Sequence, residues 1–557
     1  MSTNESSVVA NSPSAPAVGG AVPSSRGQPG SSGRPAPTGL MARFGSSVLG
    51  LSPVTWALLA SAAGMQYFGS AAEEPVKERA EKTETERVQE NAGMNVDFLG
   101  QIKTWADQYV ANKQIPGMVV GISHKGKLVY NEGFGAYSTD SILAIKEMGQ
   151  LIVTAACLTL VDKNKLSLED PVSKYIPSFS NFRVLKYPFF KESAGVWATE
   201  PLRSPILIRH LLNHTWGFPS GRPFHASEEA IAHMDREVDS KFSKLEPGKT
   251  ENDFAKMANV PLLFQPGKGF RKTVGVDVLA HIACKISGTP LDQFVQTTIL
   301  DPCRMSETGW FVTAENKARA TPQYLAVPAY TGTMGLALTG KDEGHTSWLG
   351  WRIAETKRKA PIGKPYQGRV NSNGIYSTCE DVMKFMRIIK SDFAGTILSQ
   401  RMVSMLTTDS LKGQALSDKD FNTHGRDTAN SAGFHPSLGA SSPGQGMGYG
   451  GTCIVVDPST SAIAGSAGTF SVMGDMGTEV WHDPKQQISV FVGTQVAPFH
   501  AFPQLRQELA AYVYGSLLPK AALPFFVLPD QNQPTTMMSS MMNIAMYMMM
   551  FMPMGGL

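Results

Sequence analysis

Residues 151–163 read LIVTAACLTLVDK, with no charge from Leu151 to Val161. A helix built from that run is apolar around its whole circumference, so it must be covered on every side. That demands a fold large enough to wrap other elements around one central helix. The flanking segments supply them. MVVGIS (118–123) and KLVYNEGFG (127–135) are β-rich and separated by HKGK, a short turn containing Gly126, which predicts a hairpin. Asp97–Ala111 carries apolar residues at 98, 99, 102, 105, 106 and 110, a helical spacing. Towards the C-terminus TCIVVDP, EVWHDP and QISVFVGTQ read as strands set off by Asp-Pro and Gly turns, and PQLRQELAAYVYGSLL as a closing helix. Strands, helices, strands and a helix in that order predict an α/β (α+β) domain over residues 94–528, an antiparallel sheet flanked by helices.

The flanks differ sharply in composition. Residues 1–43 are rich in Ser, Pro, Gly and Ala and carry Glu5 against Arg26, Arg34 and Arg43. So few large apolar groups cannot offset the entropy of ordering, and the segment reads either as a disordered tail or as an organellar transit segment. Residues 44–72, FGSSVLGLSPVTWALLASAAGMQYFGSAA, hold no charge and are long enough to span a bilayer. Gly50, Ala57, Ala60, Ala63 and Gly64 suit close packing on other membrane helices. A cleaved targeting segment or a buried helix are the other readings of that stretch. A charged stalk follows over 73–93, with seven acids against four bases between 73 and 90. Positive charge before the candidate span and negative charge after it orient the large domain across the membrane from the N-terminus. The tail, 529–557, has no charge after Asp530 and ten methionines between Met537 and Met554. Flexible thioether side chains suit an adaptable contact with a partner or lipid. Disorder is a second reading. Copper ligation is a third and weaker one, because the tail has neither His nor Cys.

A net charge of +3 on 557 residues gives no footprint for nucleic acid. The five cysteines are scattered and odd in number, which indicates neither a disulfide framework nor a zinc site. His210 and His214 are four apart, a spacing that would put both on one helix face. No metal, and no cofactor of any kind, is expected.

Residues 139–176, TDSILAIKEMGQLIVTAACLTLVDKNKLSLEDPVSKYI, resemble the nucleophile-bearing segment of class C β-lactamases, penicillin-binding proteins and related esterases. Further segments resemble the same family in the same order: IPGMVVGISHKGKLVYNEGFG (115–135), KLSLEDPVSKYIPSF (165–179), IRHLLNHTWGFPSG (208–221), the stretch 264–310, NGIYSTCEDVMKFMRIIKS (373–391) and GTFSVMGDMGTEVWHDPKQQISVFVGTQ (468–495). The resemblance covers most of residues 94–515 and is nearest to the subgroup containing a mitochondrial serine β-lactamase-like protein. It implies the β-lactamase/transpeptidase-like fold, and it makes His210 and His214 part of a structural turn.

The family's chemistry needs three corners, and none is intact here. The nucleophile and lysine of its Ser-x-x-Lys motif fall on Glu147 and Gln150, and no serine in this chain is followed three residues later by lysine. The Tyr-x-Asn register falls on Arg271-Lys272-Thr273-Val274, one residue short. The third strand motif falls on Val472-Met473-Gly474, where only the glycine survives. An acyl transfer needs an activated nucleophile and its base. Glu147, Gln150, Lys272, Val472 and Gly474 are therefore vestigial pocket positions. Glu147 could act as an acid or base, or pair with Lys272 or Arg271 as a structural ion pair. The expectation is a pseudoenzyme: a membrane-anchored accessory subunit of an organellar complex. The resemblance and the flanks lead us to expect the mitochondrial inner membrane, with the large domain in the intermembrane space; another organellar membrane is the alternative. A rearranged hydrolase or peptidase and a ligand-binding module are the alternatives.

Overall fold

The computed structural model describes most of residues 92–517; the longer stretches left undescribed inside that range are 220–229, 239–250, 328–338 and 412–443. The N-terminal segment, the span at 44–72, nearly all of the stalk and the Met-rich tail lie outside the described residues. Among the described residues no helix is long and apolar enough to cross a membrane.

Seven antiparallel strands form the main sheet. They are β1 Gly117–His124, β2 Lys127–Gly135, β3 Gln445–Met447, β4 Cys453–Val455, β5 Phe470–Gly474, β6 Thr478–Asp483 and β7 Ile488–Gly493. Their order is β3-β4-β5-β6-β7-β1-β2. The predicted hairpin is present: Lys125 (φ 48°) and Gly126 (φ 83°) form a two-residue loop with both φ values positive, whose twist matches that of the flanking strands. β7 then pairs with β1, Val120 opposite Val492 and Ile122 opposite Val490, so the last strand of this sheet pairs with its first.

Both faces of the sheet are covered, which is why β1 and β7 read as continuous apolar runs. Alternate residues point to opposite sides. Val119, Val472, Val480 and Phe491 face one core, shared with α2 (Glu147–Asp162), α4 (Gly275–Ser287) and α5 (Cys379–Met386). Val120, Ile122, Trp481, Val490 and Val492 face the other, shared with α1 (Val96–Ala111) and α6 (Leu505–Gly515). The short α3, Ile208–Leu212, packs beside α4. Helix α2 is the all-apolar helix expected from the sequence, and every residue from Glu147 to Leu160 is buried. A smaller, separately hydrogen-bonded four-stranded sheet, built from Tyr324–Val327, Thr339–Thr346, Arg352–Thr356 and Val496–Ala497, adds Tyr324, Ala326, Ile353 and Val496 to the second core.

His210 and His214 do not share a helix face, in keeping with the structural turn that the resemblance implies. Helix α3 ends at Leu212, and His214 takes φ 58°, the left-handed conformation that terminates a helix.

Candidate functional site

The first turn of α2 lies against the end of β5. The residue before the helix, Lys146, has φ 48° and ψ −116° and no side-chain cap. A non-glycine residue in that region costs about 1–3 kcal/mol and persists only where its surroundings over-determine it. They do so here. Ile145 N–H donates to Ile375 O at 3.1 Å, and Gly149 N–H donates to Lys146 O at 2.8 Å. Gly474 backs onto the same pair: a Cβ there would sit 2.7 Å from Ile145 O and 3.3 Å from Lys146 Cβ. The surviving glycine of the third corner is thus the residue that lets the strand reach the helix start.

This strained junction presents Glu147 as the first helical residue, largely buried. Its Oε2 accepts the backbone N–H of Asp475, the residue just past β5, at 2.8 Å. A carboxylate at a helix N-terminus is favoured by the helix dipole, and its bond to an amide is charge-assisted. The chemical consequence is specific. A backbone N–H aimed at the side chain in nucleophile register is the kind of donor that stabilises the oxyanion of acyl transfer. Here a negative charge already holds it, and a second negative charge developing nearby would be repelled.

Gln150, one turn further in, is also buried. Its Nε2–H donates to Asn373 Oδ1 at 2.7 Å, while Oε1 has no hydrogen-bond partner. Asn373 is brought there by its neighbour: Ser372 donates its N–H (2.9 Å) and Oγ–H (2.7 Å) to Asp277 Oδ1 on α4. Ser372 O also lies so close to Gly149 that any Cβ on that residue would collide with it. The position in lysine register therefore carries a neutral amide tied to a loop. It supplies neither a cation nor a proton acceptor of useful basicity to residue 147.

Lys272 lies beside His214 and Gly451: a Cβ at Gly451 would meet His214 Nε2 at 3.1 Å and Lys272 Cε at 3.2 Å. Burial, and secondarily the Lys272 cation, push His214 down to about 3. The neutral ring accepts Thr273 N–H at Nδ1 (3.5 Å). Thr273 Oγ1 in turn accepts Trp216 Nε1–H at 2.8 Å, and Arg271 N–H donates to His214 O at 2.9 Å. The register expected to hold Tyr-x-Asn is thus bound into the turn around His214 and Trp216. His210 is pushed down to about 4 by burial and then by Arg209, and its Nδ1 accepts Leu207 N–H at 3.1 Å. Val472 points into the core shared with α2.

The structure therefore brings Glu147 and Gly474 together, places Gln150 one helical turn away, turns Val472 into the core and puts Lys272 beside His214. Sequence reasoning did not single out Asp475 or Asn373. Both lie within quoted family segments, Asn373 as the first residue of NGIYST and Asp475 directly after Val472-Met473-Gly474. Their polar partners, however, are set only by the fold. Among the described residues no group of His, Cys, Asp and Glu is arranged to hold a metal ion.

With helices on both faces of an antiparallel sheet, and a buried helix whose first turn abuts a strand end, the class of protein is defined. Residues 102–514 match the Beta-lactamase family, and the chain belongs to it. Protein Rv1367c of Mycobacterium tuberculosis is 27% identical over 383 residues, covering 68% of this chain and 82% of that protein. Esterase EstB of Burkholderia gladioli is 25% identical over 400 residues, covering 70% of this chain and 88% of the esterase. Among solved structures the fold is similar to that of EstCE1, a hydrolase with promiscuous acyltransferase activity: TM-score 0.54 and 22% identity, covering 74% of this chain and 98% of that one. It is also similar to simvastatin synthase (LovD) from Aspergillus terreus: TM-score 0.57 and 17% identity, covering 75% of this chain and 99% of that one.

Proposed function

We propose that this chain is a non-hydrolytic member of the β-lactamase family that serves as a membrane-anchored accessory subunit of an organellar complex. The mitochondrial inner membrane is the assigned site, with the large domain in the intermembrane space. The observation that carries the loss of activity is the Glu147 carboxylate, seated in nucleophile register on the Asp475 N–H. A serine hydrolase needs a neutral, activatable hydroxyl at that point and a free donor facing it. The neutral Gln150 and the engaged Thr273 support the same reading from the other two corners. Anchoring and assembly rest on the uncharged stretch at 44–72 and on the Met-rich tail.

Two measurements test the proposal separately. Purified full-length protein is offered a fluorophosphonate probe, nitrocefin and p-nitrophenyl esters; turnover that disappears in Glu147→Ala would overturn the inactive reading. The tagged native protein is purified in mild detergent and its co-purifying proteins identified by mass; migration alone, with no stoichiometric partner, would overturn the subunit reading.

A second reading has support in the relatives, one of which is named an esterase. It is a hydrolase or peptidase with a rearranged site around Glu147 and Lys272. The same substrate assay separates the two, since this reading requires turnover sensitive to both residues.

A further inference from the structure

We infer that the turn end of the main sheet is the docking surface for the acidic stalk of this same chain, with Lys125, Lys127 and Lys485 receiving the carboxylates of Glu84, Glu86 and Glu90. The inference does not rest on residues 44–72 crossing a membrane.

Two hairpin tips lie side by side at that end. One is the β1–β2 turn at Lys125-Gly126, the other the β6–β7 turn between Asp483 and Ile488. His124 is opposite Ile488 in the sheet, and Lys125 N–H donates to Gln487 O at 2.9 Å. The tips carry Lys125, Lys127 and Lys485, all exposed. Their one carboxylate, Asp483, is buried and turned to other work. Its Oδ1 accepts the N–H groups of Lys485 and Gln486, each at 3.0 Å, and its Oδ2 accepts Tyr514 O–H at 3.2 Å. Among the described residues no carboxylate forms an ion pair with any of the three lysines. Asp97, exposed on the first turn of α1, is a single acid against them.

The chain enters the domain at the same place. Ala92 and Met94 are buried in the second core. Gly93 between them has φ 78°, and a Cβ on it would lie 3.8 Å from Lys125 Nζ. Asn95 N–H donates to Ser516 O at 2.7 Å, which fixes the entry against the end of α6. Glu90 stands three residues before Gly93. Even fully extended, three residues span only about 10 Å. The stretch 84–90, ETERVQE, holds three carboxylates against Arg87.

Charge complementarity and tethering together select this occupant. A segment joined to the domain within reach of its cations meets them at a high effective concentration. One exposed ion pair contributes little, whereas several on one tethered segment act together. A bilayer or a separate acidic protein would first have to displace a segment that cannot diffuse away.

The consequence is orientation. Gly474 pairs with Thr478 at one end of β5 and β6, while Asp483 pairs with Ile488 at the other. Glu147 and Asp475 therefore lie at the end of the sheet opposite the stalk. A stalk held on the turn end keeps whatever residues 1–72 attach to at the pole away from the pocket.

The test uses full-length protein as an equal mixture of ordinary and isotope-labelled chains. A water-soluble carbodiimide joins carboxylates directly to amines with loss of water, and the linked peptides are identified by mass. We expect links from Lys125, Lys127 or Lys485 to Glu84, Glu86 or Glu90 within single chains, with a yield that falls several-fold between about 50 and 500 mM salt. In the triple substitution Lys125→Glu/Lys127→Glu/Lys485→Glu, limited trypsin digestion should cut after Arg87 several-fold faster than in the parent, the cleavage site itself being unchanged. The inference is overturned if such links are absent or join chains of different isotope, or if Lys359, exposed beside the cluster around Met476 at the pocket end, gives the same yield. Equal rates of cleavage after Arg87 in parent and triple variant would overturn it as well.

Discussion

Glu147 Oε2 accepts the backbone N–H of Asp475 at 2.8 Å across a separation of 328 residues. The bond joins the first turn of the central helix to the end of strand β5, the two elements between which the family's chemistry takes place. It ties down an amide that a hydrolase would leave for substrate, and it places a formal negative charge there. The proposed loss of activity has two parts, a missing nucleophile and an occupied donor.

Restoring the nucleophile alone should then fail. The double substitution Glu147→Ser/Gln150→Lys frees the Asp475 N–H and rebuilds the first corner, but the Tyr-x-Asn register still holds Arg271, Lys272 and Thr273. We expect no fluorophosphonate labelling of the double variant. Labelling within minutes would show that the second corner is dispensable for activating the serine.

Lys146 stores backbone strain at φ 48° and ψ −116°. Glycine adopts that conformation without a Cβ clash. Lys146→Gly should stabilise the folded protein by about 1 kcal/mol, the relief of strain exceeding the added freedom of the unfolded chain. Urea unfolding at fixed pH checks the sign, and a lower midpoint would mean that the Lys146 side chain supplies more than its backbone costs.

Glu508 on α6 lies half-buried against α1, where its Oε2 accepts both Trp105 Nε1–H and Tyr109 OH at 2.8 Å. Burial raises its pKa above the ordinary carboxylate value, and the two hydrogen bonds oppose that rise only in part. The folded state therefore holds the proton more tightly than the unfolded chain. The associated stability is fully present below the unfolded pKa near 4.5 and is lost as pH rises through the folded value. Glu508→Gln should flatten that decline, visible as a smaller fall in urea midpoint between pH 4.5 and 7. A pH profile identical to the parent's would refute the assignment.

His214 has the opposite sign. With its folded value pushed down to about 3, it contributes stability that is present above the unfolded pKa near 6.5 and lost as pH falls towards the folded one. Asparagine tolerates a left-handed φ and does not titrate. His214→Asn should therefore reduce the loss of stability between pH 6.5 and 4, whatever its effect at pH 7. Thermal unfolding of both proteins across that range provides the comparison.

Arg506 and Glu479 form a buried ion pair at 2.8 Å, and the guanidinium lies 3.6 Å from the centroid of the Trp481 ring. Removing one partner leaves a buried charge uncompensated, at a cost of about 3–5 kcal/mol, whereas replacing both by apolar groups of similar size is close to neutral. Arg506→Met and Glu479→Leu should each destabilise strongly, and the double variant should recover most of the loss. A double variant as unstable as the sum of the singles would show that the two charges act independently.

Much of the architecture was legible because it is written in short-range patterns. The Lys125-Gly126 turn, the apolar runs of β1 and β7 and the all-apolar α2 each follow from neighbours along the chain. The absence of any serine followed three residues later by lysine is likewise read from the chain directly, whereas the register that sets Glu147 and Gln150 in those two positions comes from the resemblance. The His210–His214 spacing does not by itself decide a shared face, because residues four apart share one only while the helix continues, and this one ends at Leu212. The membrane span, stalk and Met-rich tail were read from composition alone and lie outside the described residues.

The sequence by itself determined the family and the order of the elements, since residue identity and local periodicity carry that information. Only the tertiary structure decided what Glu147 and Gln150 touch. Asp475 and Asn373 meet Glu147 and Gln150 across 328 and 223 residues. Contacts of that range come from the sheet closing on the central helix, where buried polar groups must find partners in three dimensions.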